Sequence, residues 1–160
     1  MQHYNNNTIY KMEINSAKKD YCKPMHTAEH ILNQTMIRTF GCQRSMNAHI
    51  EKTKSKCDYT LNEAPSDAQM QAVAKAVNEV IAQNLPITTS LMNRAEAAEI
   101  VDLSKLPADA TEMLRIVRVG NYDVCPCIGA HVENTSEIGA FILLNYSFES
   151  QRLRIRFKLG

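Results

Sequence analysis

The chain has 160 residues, 44% hydrophobic and 22% charged, which suits one compact domain and leaves no room for two. Lys and Arg total 18 against 17 for Asp and Glu, so a nucleic-acid binder that works by bulk charge is excluded, though a local basic patch is not. No apolar run approaches the roughly 18 residues of a membrane span. The start, Met1-Gln2-His3-Tyr4-Asn5-Asn6-Asn7, also lacks the pattern of a secretory signal, so a cytoplasmic location with no membrane partner is expected.

In chain order, the Asn-rich start reads as a tail, with Thr8 to Ile14 alternating weakly as an edge strand; residues 1–23 are set apart from a single domain over 24–160. Pro24 leads into a helix from about His26 to Thr39, which Gly41 ends. On its wheel Ala28, Leu32, Thr35 and Thr39 form a packing face, with His26 and His30 on the opposite side. Short strands follow at Ser45 to Ile50 and Ser55 to Leu61. A helix over Ser66 to Gln83 carries a Ser66/Gln69 capping box and the apolar stripe Met70, Val73, Val77, Val80 and Ile81. Pro86 stops it, Ile87 to Met92 reads as a strand, and Asn93 with Glu96 caps a short Ala-rich helix before a polar connector around Pro107. Three more strands are expected at Met113 to Val119, Ala140 to Phe148 and Arg152 to Lys158. Strands before and after a pair of helices predict an α+β, two-layer domain with a largely antiparallel sheet packed against helices.

Two clusters carry chemistry. His26-Thr27-Ala28-Glu29-His30 puts two imidazoles four apart on one helix, able to grip one cation or to be two surface histidines. Cys125-Pro126-Cys127-Ile128-Gly129-Ala130-His131 offers a thiolate and an imidazole around a glycine, the alternative being a core cysteine beside a hydrogen-bonded histidine. Two nitrogens from a helix with a sulfur and a nitrogen from a distant loop match a tetrahedral Zn2+ site. The five cysteines, an odd set without an export signal, otherwise read as reduced thiols. Glu29 falls off the histidine face of the wheel and is not read as a general base.

The stretch Cys127-Ile128-Gly129-Ala130-His131-Val132, continuing through Thr135, Glu137, Ile138 and Gly139, resembles the C-x-G-x-H-V-x-x-T-x-E-I-G signature of the alanyl- and threonyl-tRNA synthetase editing domain. His26 and His30 resemble that family's H-x-x-x-H. Val77-Asn78 with Asn84-Leu85-Pro86-Ile87 is similar to its V-N-x-x-I-x-x-N-L-P-V, and Lys56-Cys57-Asp58-Tyr59 stands where members have R-F-D-F. Arg115-Ile116-Val117-Arg118-Val119-Gly120 resembles the strand leading into the second metal loop. The likeness runs from about Pro24 to Ile142.

The resemblance implies an α+β fold and a zinc site. It also implies hydrolysis of the ester joining an amino acid to tRNA, in the manner of a freestanding, AlaX-like trans-editing protein acting on seryl- or glycyl-tRNA(Ala). His26, His30, Cys127 and His131 are then the metal-binding and catalytic quartet, and the partners are mischarged aminoacyl-tRNA and, as an open option, a second copy in a homodimer. The chain departs from the family at Ile128 and Ala130, which replace a glycine and a threonine, and at Gln43-Arg44-Ser45, where a glycine is missing. Cys125 is an extra thiol that stands as a competing ligand or a guard of the site. These departures motivate the alternative of a degenerate domain that binds tRNA or a synthetase without hydrolysis. The letters His26 to His30 also satisfy H-x-x-E-H, the motif of an inverted zinc peptidase, which gives no role to Cys127 or His131. Lys52, Lys54 and Lys56, with Arg152 and Arg154 on the alternating last strand, are the candidate tRNA contacts; the competing reading of that strand is a solvated edge guarded against aggregation.

Overall fold

A computed structural model describes residues 22–104, 106 and 112–160. The expected Thr8 to Ile14 strand and the connector at Pro107 lie outside the described residues. The elements are α1 (Lys23–Phe40), β1 (Asn47–His49), β2 (Ser55–Thr60), α2 (Asp67–Ile81), β3 (Ile87–Asn93), α3 (Arg94–Ala98), β4 (Met113–Val119), β5 (Asp123–Pro126), a 3-10 turn (Thr135–Glu137), β6 (Phe141–Glu149) and β7 (Arg152–Leu159). The α+β expectation holds. The strands divide, however, into a four-stranded sheet of order β1-β2-β7-β6 and a three-stranded sheet of order β3-β4-β5, with every ladder antiparallel.

Local chemistry explains where the helices sit. Pro24 starts α1, since its missing N–H is one that no helical partner would use. Gly41, at φ 66°, ends it by turning its N–H back to the carbonyl of Ile37. At α2 the Ser66 hydroxyl accepts from the Gln69 N–H while the Gln69 side chain accepts from Ser66 N–H, a reciprocal cap whose loss typically costs about 1 kcal/mol. The α2 stripe Met70, Val73, Val77, Val80 and Ile81 is buried throughout. It packs with Met25, Ala28, Leu32 and Met36 of α1 onto Cys57, Tyr59, Leu153, Ile155 and Phe157 from the inner face of the larger sheet. A smaller cluster, Ala97, Leu114 and Ile116, lies where α3 meets the three-stranded sheet.

Three expectations change. The wheel divides α1 into a packing face and a histidine face, but both are buried, because β5 and the loop after it cover the histidines; Thr39, expected to pack, is exposed. β7 is not an edge: it pairs with β2 on one side and β6 on the other, so the edge-guard explanation of its basic residues falls. The strand β5 was not anticipated, since its four residues are too few for alternation to register. Among the described residues no helix is long and apolar enough to cross a membrane.

Candidate metal centre

Successive turns of α1, at His26 and His30, meet the loop that follows β5. Three hydrogen bonds to Arg115 hold that loop: the Cys127 N–H donates to the Arg115 carbonyl, and the Arg115 guanidinium donates back to the carbonyls of Cys127 and Gly129 at 3.0 and 2.8 Å. Downstream, the Thr135 hydroxyl donates to Ile81 O and accepts from Leu85 N–H, while Glu137 accepts the N–H groups of Glu133 and Asn134. The threonine and glutamate of the motif therefore fasten the loop to the end of α2 and shape its turn.

His26, His30, Cys127 and His131 converge so that one donor atom from each lies within 4.8 Å of all the others. The Cys127 Sγ stands 3.5 Å from both His26 Nε2 and His131 Nε2. The rings of His26 and His131 stack at 4.1 Å between centroids, and His30 sets its ring edgewise to both. His26 and His30 are buried, whereas Cys127 and His131 are half-buried, so the cluster is approached from the loop side.

Each imidazole is anchored through its other nitrogen, and by a different kind of group. His26 Nδ1–H donates to the Ala130 carbonyl at 3.0 Å, which turns Nε2 toward the cluster. His131 Nδ1 pairs at 2.9 Å with the hydroxyl of Thr27, whose oxygen also donates to Lys23 O and accepts from Val132 N–H. His30 turns Nδ1 to the carboxylate of Asp123 at 3.6 Å, an ion-pair distance longer than a hydrogen bond. Asp123 is itself chelated by Arg44 at 2.6 and 3.1 Å and receives Gln34 Nε2 at 2.9 Å.

The electrostatics follow from this arrangement. Burial opposes a charge on Cys127, but bonds from His131, His26 and His30 outweigh it and hold the thiol down at about 3, a thiolate at neutral pH. Burial likewise disfavours charge on His30, yet Asp123 and Cys127 raise it to about 9. Burial, with the neighbouring imidazoles, lowers His131 to about 4. Burial also works against ionised Asp123, and His30 with Arg44 overcomes it, keeping the carboxylate well below its usual range. Without a cation the cluster centres on a buried Cys127 thiolate and His30 imidazolium, with a neutral His131 beside them.

The donor set also fits a metal ion on its own geometry. Ligands about 2.05 Å (nitrogen) and 2.3 Å (sulfur) from a tetrahedral zinc stand about 3.5 Å apart, which is the separation of Cys127 Sγ from two of the rings. Three oriented imidazoles and one thiolate are borderline-to-soft ligands of the kind that select zinc over magnesium or calcium.

Several contributors to the site escape a reading of the sequence. Asp123 joins Arg44, Gln34 and His30 across 79 to 93 positions, and no spacing rule reports that. Thr27 could have been suspected, because it lies inside the H-x-x-x-H itself. Glu29, read as pointing away, brings Oε2 within 3.9 Å of His26 Nε2, the ordinary reach of an i, i+3 pair. Cys125 is not part of the quartet: its thiol donates to Pro126 O, and burial pushes it up to about 12. The glutamate ligand that a zinc peptidase requires is absent from the quartet, whose remaining places Cys127 and His131 hold. Of the candidate RNA contacts, Lys52 and Lys54 are exposed on the β1–β2 loop, and Lys56, Arg152 and Arg154 lie on the outer face of the four-stranded sheet. The structure does not bring these five to the cluster.

Residues 114–156 match the family described as the threonyl and alanyl tRNA synthetase second additional domain. Alanine–tRNA ligases of Streptococcus agalactiae serotypes Ia and V and of Streptococcus pyogenes serotype M5 are each 31% identical to this chain over 135 residues. That alignment takes in 84% of this chain and 16% of each ligase, so the chain spans about a sixth of the length of the curated relatives it matches. Neither the structure nor these relatives support the homodimer.

Proposed function

Because the chain belongs to the editing-domain family of the threonyl and alanyl tRNA synthetases, we propose that it hydrolyses the ester linking a wrongly attached amino acid to tRNA, with seryl- and glycyl-tRNA(Ala) as substrates and residues 24–160 as the working domain. The observation that carries this reading is the meeting of His26, His30, Cys127 and His131 at one half-open point. A zinc ion held there would supply Lewis acidity, polarising the ester carbonyl or a water molecule. The chain's own groups do the rest. Ala130 O, Asp123 and Thr27 fix the three rings with their Nε2 edges inward, so no reorientation is needed when substrate arrives. Glu29 is the carboxylate placed to take a proton from the attacking water, its Oε2 lying at the rim of the cluster beside His26.

A deacylation assay with tRNAs carrying serine, glycine, alanine or threonine, paired with metal analysis of the same sample, tests the reading. His26→Ala and Cys127→Ala should each abolish turnover while the far-ultraviolet spectrum is kept, and undiminished turnover by both would defeat the assignment. Glu29→Gln should lower kcat about a hundredfold with zinc content unchanged.

The donor count supports a second reading. Four protein ligands complete a tetrahedral shell, the closed form usual for a structural zinc. On that reading the domain holds tRNA or a synthetase without cleaving the ester, and the same assay distinguishes the two: zinc bound, tRNA retained, no amino acid released.

A further inference from the structure

The outer face of the four-stranded sheet is the opposite of its core-packed inner face. The register of β2, β7 and β6 sets Lys56 opposite Arg156, Asp58 opposite Arg154 and Thr60 opposite Arg152, with Lys158 one step further along. Asn145, Ser147 and Glu149 of β6 continue the same rows. This face holds five cations against two carboxylates, a net of +3 where the whole chain carries +1, so the rest of the molecule is net acidic. Lys52 and Lys54 extend the patch from the adjoining loop.

Two features speak against a merely solvated surface. Like charges directly opposite across antiparallel strands destabilise the pair, yet Lys56 and Arg156 face each other in the interior of the sheet. And β7 has strands on both sides, so its alternating arginines guard no edge.

We propose that this face docks the phosphate backbone of the helical body of tRNA, a proposal that rests on the aminoacyl-tRNA reading above. Charge complementarity selects a polyanion. The absence of any Phe or Tyr among its outward residues argues against stacking on unpaired bases and for sequence-independent contact with a duplex. The cluster of His26, His30, Cys127 and His131 lies beyond α1, whose other side packs on the inner surface of this sheet. On this proposal the face holds the body of the tRNA, and its single-stranded end passes round the edge of the sheet to carry the ester to the cluster. Arg154 is the least available of the five, because its Nε and Nη2 both donate to Asp58.

The test is the equilibrium binding of uncharged tRNA by fluorescence anisotropy across a salt series, comparing the full chain with the double variant Arg156→Gln/Lys158→Gln and the single variant Arg152→Gln. Loss of two phosphate contacts should weaken binding at least tenfold and reduce the slope of log K against log salt by about 1.8, with the thermal midpoint no lower than the parent's, since Arg156→Gln also relieves the repulsion with Lys56. An unaltered slope, or binding that does not respond to salt in the parent chain, overturns the proposal. Hydrolysis of a seryl ester of adenosine alone, which has no helical body, should be the same in parent and variants. Failure of the parent chain to cleave that small ester would count against the hydrolytic reading and not against the docking face, which the anisotropy series judges on its own.

Discussion

Asp58 and Asp123 are both sealed from solvent, and each receives two hydrogen bonds from the fork of an arginine, Arg154 in the first case and Arg44 in the second. Beyond that they diverge. Asp58 lies in a sheet row with Asn47 as its further neighbour, and its arginine reaches the surface. Asp123 begins β5 beneath the cluster, receives Gln34 as well, and faces the imidazole of His30. One carboxylate neutralises a single cation within the sheet. The other divides its charge between a guanidinium and a ring whose opposite edge belongs to the site. The same residue pair thus serves the sheet in one place and a reactive centre in the other, and the difference is set by what else the carboxylate touches.

Asp123→Asn should show the largest effect. It strips the counter-charge from His30 and leaves Arg44 facing a neutral amide, costing on the order of 3 kcal/mol of stability and about 10- to 100-fold in zinc affinity. Denaturant midpoints and competition with a coloured chelator read the two losses separately. Equal zinc affinity in the variant would mean that Asp123 acts like Asp58, on the fold alone. Thr27→Val comes next, since it preserves shape but removes the hydroxyl that holds His131 Nδ1 and accepts from Val132. The same competition assay should show about a tenfold loss of zinc affinity.

These residues also mark how far the sequence could be read. The α2 helix was legible to its cap, because Ser66 and Gln69 and a five-residue apolar stripe are local signals that tertiary structure did not overturn. The four converging side chains were legible as two spaced motifs, though a motif gives the ligands and not what orients them. Asp123, Gln34 and Arg44 come from three elements, and only folding makes them neighbours. Arg44 replaces part of a glycine-serine element, so comparison with the expected motif read it as a loss, while in space it supplies the cation under the site. The division into two sheets and the interior position of β7 were hidden for the same reason, since alternation reports a strand's faces and not its neighbours.

Asp58→Asn gives the smallest effect and isolates the role of the sheet in the comparison. The Arg154 guanidinium holds the Asp58 carboxyl below its ordinary value despite its burial. A carboxyl whose folded value is depressed adds stability that is present in full above the unfolded value of about 3.9 and is lost as the pH falls through the lower, folded value. At neutral pH the variant should therefore unfold a few degrees below the parent, with zinc affinity untouched. As the pH is lowered through and below 4 the two melting curves should draw together, because protonation does to the parent what the amide has already done to the variant. A gap that stays constant down to the acid limit would mean that Asp58 acts through packing and the hydrogen bond from Asn47, and not through its charge on Arg154.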